Sequence, residues 1–279
     1  MQIACQEVLL PGRDVMERCH NAKLYGFDAV EICGGALVDD ASVKNVRIAL
    51  QSVGLSASSV CGGIVQRAVD IDPEQRRLAR ESVRRQLSNA AELRAPGIVF
   101  LPIFGVHDHI PDLLPYRSKW VLRRDLCIEM LNVLNEDALQ AGAKIYLESL
   151  NRYETGFLTT MRQAVDIWQL LWARSNIALL ADVFHMNIEE ASIAAGIEVG
   201  GQLIGHVHLS DNNGQEPGEG SIDFGDVVRA LRHVGFRGSM AFECGLGLAE
   251  DSASEGTLSG PAELVLPQSV EFLRRLTGE

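Results

Sequence analysis

Short apolar runs alternate along the whole chain with longer stretches in which apolar residues recur three and four positions apart. Runs of about four to eight residues rich in Val, Ile and Leu are typical of buried strands, and the longer spacing is typical of helices with one buried face. The alternation predicts parallel strands joined by crossover helices. The predicted strands are QIAC from Gln2, AVEIC from Ala29, LSASSVC from Leu55, GIVFLPI from Gly97, KIYLESL from Lys144, NIALLADV from Asn176, GHVHLS from Gly205 and SMAFEC from Ser239.

Eight strands of this kind favour a closed (β/α)8 barrel, the TIM-barrel fold, as one domain over residues 1–279. Helices are expected between the strands, among them one over residues 188–200. A doubly wound open sheet is the competing α/β fold, but no G-x-G-x-x-G turn follows the first strand. No linker or low-complexity tract divides the chain.

Charge and composition exclude some classes of function. The formal net charge is −12, which opposes nucleic-acid binding, because such proteins need Lys and Arg to neutralise phosphates. The N-terminal segment has no basic and apolar leader, and no apolar stretch reaches the ~18 residues of a membrane span. The six cysteines form no C-x-x-C pair. We therefore expect a cytoplasmic protein with reduced thiols and no membrane or nucleic-acid partner.

Residue types that commonly bind metal ions end the last four predicted strands. They are Glu148 in IYLES, Asp182 in LLADV, His208 in HVHLS and Glu243 in MAFEC. The active site of a TIM barrel lies at the carboxyl ends of its strands, so these side chains should meet there. Three carboxylates and one imidazole suit Mn²⁺, our first expectation, or Mg²⁺ or Co²⁺, and Zn²⁺ stays open.

A carboxylate at a strand end can also simply cap the following helix or loop. For one residue alone the two interpretations are about equally good, but four ionisable groups on successive apolar strands are costly to bury unpaired. A shared divalent cation explains all four. Glu154 and His185 follow closely after Glu148 and Asp182 and should face the same mouth.

These motifs resemble the xylose-isomerase-like TIM barrels, most closely the branch of ketohexose 3-epimerases of the tagatose 3-epimerase type and hydroxypyruvate isomerase. The likeness is specific between residues 144 and 243. It implies that Glu148, Asp182, His208 and Glu243 bind the metal. It also implies that Glu154 and His185 bind a small-molecule sugar substrate, that Cys61 walls the pocket, and that the protein is a homodimer or homotetramer.

One position departs from the pattern of those epimerases. They carry an Arg, which grips substrate hydroxyls, six residues beyond the metal-binding His, and this chain has Gly214 there. The substrate therefore could differ from a free ketohexose. Glu31, at the end of the second strand, has two open interpretations: it lines the pocket or it is a buried ion-pair partner.

The resemblance implies a substrate held by the metal between Glu148 and Glu243, one carboxylate over each face. Removing a proton beside the carbonyl on one face and returning it on the other, through a metal-stabilised enediolate, is epimerisation. Delivery to the neighbouring carbon is aldose-ketose isomerisation. A lyase or dehydratase acting on a keto-sugar or keto-glycoside is the alternative enzyme, and a non-catalytic sugar-binding barrel is the alternative outside enzymes.

Two further features remained open. His107 and His109 could serve a second metal, as histidines do in the related endonuclease IV group, although a solvated loop is the simpler interpretation. The irregular segment from Gly245 is a candidate lid or subunit contact.

Overall fold

The computed structural model describes residues 1–65, 67–105, 110–111, 113–245 and 258–278. His107, His109 and most of the segment from Gly245 lie outside the described residues, so the expectations placed on them stay predictions. The rest of the chain forms a single closed parallel barrel.

The predicted barrel is confirmed. Its strands neighbour one another in chain order, and the first pairs in parallel with the last, which closes the sheet. The strands are β1 Gln2–Gln6, β2 Ala29–Cys33, β3 Ser56–Cys61, β4 Gly97–Phe100, β5 Lys144–Glu148, β6 Ile177–Asp182, β7 Ile204–Leu209 and β8 Ser239–Phe242.

Helices cover the outside of the barrel. They are α1 Val15–Leu24, α2 Asp40–Val53, α3 Pro73–Leu93, α4 Lys119–Ala141, α5 Met161–Leu170, α6 Val183–Glu189, α7 Ile193–Gly200, α8 Phe224–His233 and α9 Ala262–Thr277. Most of the apolar core lies between the outward faces of the strands and these helices. Among the described residues, no helix has the length and apolar character that a membrane span requires.

The segment after β6 differs from the prediction of one helix over residues 188–200. The structure has two helices there, α6 and α7, because two residues cap helices that begin at different points. The carboxylate of Asp182 accepts a hydrogen bond from the backbone N–H of His185, and the hydroxyl of Ser192 accepts one from Ala195. The chain therefore enters a helix immediately after β6, which fixes His185 at the mouth of the barrel.

Candidate active site

The structure brings together the four residues predicted as metal ligands. The last residues of β5 and β6 are Glu148 and Asp182. The next-to-last residue of β7 is His208, and Glu243 directly follows β8. Each offers one ligand atom, these atoms all lie within 4.8 Å of one another, and all four residues are buried. Side chains from four neighbouring strands of the barrel thus meet at one point.

His208 lies at the centre of this cluster. Its Nδ1 is 3.4 Å from Oε1 of Glu148 and 3.7 Å from Oδ2 of Asp182, and a carboxylate oxygen of Glu243 lies closer still. Among the described residues, no group meets hydrogen-bond geometry at this nitrogen, although it is fully buried. A buried, unpartnered imidazole nitrogen facing three carboxylates is a donor set that fits a divalent cation, which would satisfy all of them at once.

The opposite nitrogen of His208 is fixed by Glu31. Nε2 lies 3.1 Å from Oε1 and 3.2 Å from Oε2 of that carboxylate, which also takes hydrogen bonds from His206 and Ser59. When the ring is neutral, donation from Nε2 leaves the lone pair on Nδ1, on the side of the carboxylates, where it can bind a cation; without a cation the carboxylates favour a proton there. Glu31 is thus the buried partner of two histidines, and it also lines a cavity with Cys61 and Glu243, so its placement agrees with both interpretations of its sequence position.

Opposite charges keep this buried pair ionised. Burial works to raise the pKa of Glu31, but the charge of His208 and the hydrogen bonds from the histidines hold it well below its ordinary range. Burial likewise works to lower the pKa of His208, yet the surrounding carboxylates, Glu243 and Glu31 foremost, raise it well above its ordinary value. Glu31 is therefore an anion, and its charge orients the ring of His208.

We expect Glu31→Gln to weaken binding of Mn²⁺ about 10- to 100-fold, because a neutral amide holds the imidazole less firmly. Glu7→Gln is the matched control. Glu7 is also buried, and it accepts from Arg18 at 3.1 Å and from the backbone of Cys33 at 3.4 Å. Metal titration of both variants checks this, and an unchanged affinity in Glu31→Gln would show that the contact does not orient His208.

Gln6 connects Glu31 to Glu243. Its Nε2 donates to Oε1 of Glu31 at 2.9 Å and to Oε1 of Glu243 at 2.6 Å. One side-chain amide has two hydrogens, so a single residue holds both carboxylates. Oε1 of Glu243 is occupied in this way, while Oε2 is the oxygen nearest His208.

Glu148 has an unusual pKa for a carboxyl group. Burial, together with the charges of Glu243 and Asp182, raises the pKa of Glu148 to about 7, against the lowering effect of His208. An acid that titrates near neutral pH is suited to giving and taking protons, and it would be deprotonated by a bound cation.

His185, Asn151 and Glu154 form a second polar group beside the ligands. Nδ2 of Asn151 donates to Oε1 of Glu154 at 2.7 Å and lies 2.8 Å from Nδ1 of His185. Nδ1 must accept here, so the ring proton is on Nε2. No described residue takes a hydrogen bond from that Nε2, and Glu154 is 18 % exposed. Both predicted substrate-binding residues thus have hydrogen-bonding capacity to spare.

Cys61 lies on the other side of the cluster. It ends β3, is half-buried, and has its sulfur within 4.8 Å of ligand atoms of Glu31 and Glu243. It lines a cavity of about 210 Å³ together with Gln6, Val8 and Glu243. Cys61 thus lies in a cavity beside the cluster, and its contact with a substrate stays a prediction.

Comparison with known proteins identifies the family. The model of the xylose isomerase-like TIM barrel family matches residues 19–276. The chain belongs to this family. It is 31 % identical over 254 residues to the 3-dehydro-D-guloside 4-epimerase of Escherichia coli, a match that spans 91 % of this chain and 95 % of that protein. It is 29 % identical over 224 residues to the D-psicose 3-epimerase of Enterocloster bolteae, covering 78 % and 72 %.

Solved structures of this family superpose on the barrel. The apo 3-keto-D-glucoside 4-epimerase from Escherichia coli gives a TM-score of 0.84 at 28 % identity over 99 % of both chains. The D-psicose 3-epimerase of Clostridium cellulolyticum, crystallised with D-tagatose, gives 0.86 at 21 % identity over 99 % of both chains, a likeness of fold. The curated relatives are thus sugar epimerases that act on free keto-sugars or on keto-glycosides.

Gly214 stands where the family's ketohexose epimerases are expected to have an Arg, and its backbone conformation also favours glycine. It is buried and adopts a φ of 77°, a left-handed conformation that favours glycine. Its carbonyl accepts from Gly245 at 2.7 Å, and its N–H donates to the carbonyl of Asp211. The carboxylate of Asp211 accepts three backbone N–H groups of the same loop. The backbone conformation of the loop after β7 therefore favours glycine at position 214.

Sequence reasoning missed Gln6 and left the role of Glu31 open. Gln6 ends β1, and Glu31 lies in the middle of β2, both in the first half of the chain. The signal was present, because the rule that polar residues at strand ends face the active site applies to every strand. Which of them contact one another depends on distances across the barrel mouth, which one sequence does not contain.

Proposed function

We propose that this chain is a divalent-metal-dependent epimerase of keto-sugars, in which Glu148 and Glu243 carry the proton. The observation that carries the proposal is the arrangement around His208: an unpartnered buried nitrogen faced by three carboxylates, two of which flank the site on β5 and β8. Family membership and the epimerase activity of the relatives support the same reaction.

The reaction requires a base on one face of the substrate and an acid on the other. Glu148 and Glu243 are the outer members of the ligand set, separated along the barrel by Asp182 and His208. One of them removes the proton from the carbon beside the carbonyl, and the other returns a proton from the opposite face. A bound cation would polarise the carbonyl and stabilise negative charge on the substrate oxygens. We propose Mn²⁺, since carboxylate and imidazole ligands suit it.

His185 and Glu154 position the substrate in this proposal. The Nε2–H of His185 donates to a substrate oxygen, and the exposed carboxylate of Glu154 accepts from a hydroxyl. Asn151 holds both groups in place through hydrogen bonds of 2.7 and 2.8 Å. Cys61 lines the pocket beside Glu243.

The substrate is either a free ketose or a glycoside carrying a ketone. The glycine at position 214 favours the glycoside, because no arginine closes the pocket on the terminal hydroxyls of a free sugar. The match to a keto-guloside 4-epimerase over 95 % of that protein's length favours it too. The homo-oligomeric state and the cytoplasmic location stay predictions.

Deuterium exchange tests the function. Metal-stripped protein, with and without Mn²⁺, is incubated in D₂O with fructose, psicose, tagatose, ribulose and a methyl 3-keto-glucoside, and products are followed by NMR. We expect metal-dependent deuterium uptake at the carbon beside the ketone, together with formation of the epimer. Release of methanol or loss of water would favour the lyase or dehydratase, and tight metal binding without exchange in any sugar would favour a non-catalytic barrel.

A further inference from the structure

A cavity of about 490 Å³ lies at the end of the barrel opposite the candidate active site. Residues from the amino-terminal ends of several strands line it, including Gln2, Lys144, Ile204 and Ser239. Its inner wall carries Ser58, Tyr146 and His206, which are 2 %, 3 % and 1 % exposed. The cavity therefore penetrates from the surface into the barrel interior.

Small residues explain why this end of the barrel is open. A TIM barrel is usually filled by layers of large branched side chains. Here three of the lining residues are glycines, Gly205, Gly235 and Gly238. Gly205 faces the ring of Tyr146, which a Cβ at that position would approach to 2.8 Å. The absence of side chains at these glycines leaves space beside the ring.

The lining of the cavity is cationic in an otherwise acidic protein. It contains Lys144 and Arg237 but no Asp or Glu, although the formal net charge of the chain is −12. Neither cation has an ion pair or side-chain hydrogen bond among the described residues. Deeper in the cavity, the hydroxyl of Ser58 is buried and has no hydrogen-bond partner. A buried hydroxyl without a partner costs free energy unless a ligand or water satisfies it.

We propose that this cavity binds a small oxyanion, either inorganic phosphate or the phosphate of a monoester. Lys144 and Arg237 supply the charge at the rim, and Ser58 supplies a hydrogen bond inside. The volume exceeds that of a phosphate ion, so a monoester has room for its organic group. This site is separate from the metal cluster and does not depend on the reaction proposed above.

His206 connects the cavity to the candidate active site. Its ring lines the cavity and stacks on Tyr146 with centroids 5.2 Å apart, while its Nε2 lies 2.8 Å from Oε2 of Glu31. The same carboxylate oxygen is 3.2 Å from Nε2 of His208. A chain of contacts through His206 and Glu31 therefore connects an anion in the cavity to the imidazole of His208.

Calorimetric titration of the Mg²⁺-loaded protein with inorganic phosphate tests the site. Arg237→Gln should weaken binding at least about tenfold and Ser58→Ala severalfold, in line with the loss of a charged contact and of one hydrogen bond. Arg162→Gln is the matched control, since Arg162 is exposed on α5, away from the cavity. It should leave the affinity unchanged. Equal weakening in the control, or no loss in Arg237→Gln, would overturn the proposal.

Two further measurements separate the possible ligands and locate the site. Glycerol phosphate that binds more tightly than phosphate identifies the monoester, equal affinity identifies the oxyanion alone, and neutral glycerol that binds as well as either would overturn the role of charge. In spectra of protein with ¹⁵N-labelled histidine, the ring signals of His206 should move on addition of phosphate, and not in Arg237→Gln. Movement of His185 signals alone would place the anion at the metal cluster and contradict the cavity site.

Discussion

Glu148→Gln and Glu243→Gln should each strongly slow inversion of the substrate. Each variant should still exchange a proton on one face of the substrate, and the two variants should differ in which face. A glutamine keeps the shape of the site but cannot accept the substrate proton, so we expect inversion to fall by about 10² to 10⁴. The remaining carboxylate still faces one side of the substrate. It can take the proton from the epimer that presents its hydrogen to that side and return deuterium from D₂O without inversion.

The result expected is complementary. If Glu148→Gln exchanges one epimer, Glu243→Gln exchanges the other. Both residues are also proposed ligands, so each variant is measured at saturating Mn²⁺ with its metal content determined. Asp137→Asn changes a buried carboxylate that accepts from Arg80 at 2.7 and 3.0 Å and lies outside the pocket, so it serves as control and should retain inversion. Exchange of the same epimer by both variants would show that a single residue carries the proton, contrary to the two-carboxylate proposal.

The barrel could be predicted from the sequence because most strands are short runs rich in apolar residues, separated by helical segments. The prediction for β2 agrees with the structure at both ends, while the run predicted from Gly97 to residue 103 stops at Phe100. Pro102 follows closely and has no N–H to donate to a neighbouring strand. Apolar content alone therefore extended the strand too far, although the proline marked its end.

The candidate ligands could be predicted because each ends a strand, and closure of the barrel brings strand ends together. The hydrogen bonds that hold these side chains in place could not be predicted from the sequence. Gln6 meets Glu243 across 237 residues of chain, and His206 meets Glu31 across 175. Such pairs depend on which side chain crosses the barrel mouth. In the same way, the helix start at Val183 depends on a capping bond that Oδ1 of Asp182 accepts from the N–H of His185, while Oδ2 faces His208.

The metal-free protein should lose stability as the pH rises from about 5 to 8. The pKa of Glu148 is raised to about 7 from an ordinary value of 4.5, so the folded state holds a proton there that the unfolded state has released. Stability falls through this window, on the order of 3 kcal/mol for one such group. The raised pKa of His208 acts in the same direction, because its contribution is complete below 6.5 and is lost as the pH rises through its folded value.

The carboxyl groups with lowered pKa values do not oppose this trend. His206 does oppose it below pH 6.5, because burial lowers its pKa and the unfolded state then binds a proton that the folded state lacks, so the fall in stability is clearest above pH 6.5. Asp182 and Glu31 contribute stability that is complete above their ordinary values of 3.8 and 4.5, so it is constant from pH 5 to 8. Thermal unfolding of chelator-treated protein across this range should therefore show a falling midpoint. Metal-free Glu148→Gln should be more stable than the parent at pH 8, because it removes one of the crowded carboxylates, and less dependent on pH.

Addition of Mn²⁺ should reverse the trend. A cation bound by Glu148 and His208 requires both to be deprotonated, so binding releases protons and grows tighter as the pH rises. The gain in unfolding midpoint on adding Mn²⁺ should then be larger at pH 8 than at pH 5.5. Calorimetry in two buffers of different ionisation enthalpy measures the released protons directly. A metal-independent midpoint at both pH values would mean that the buried carboxylates around His208 do not hold a cation, and would remove the basis of the proposed mechanism.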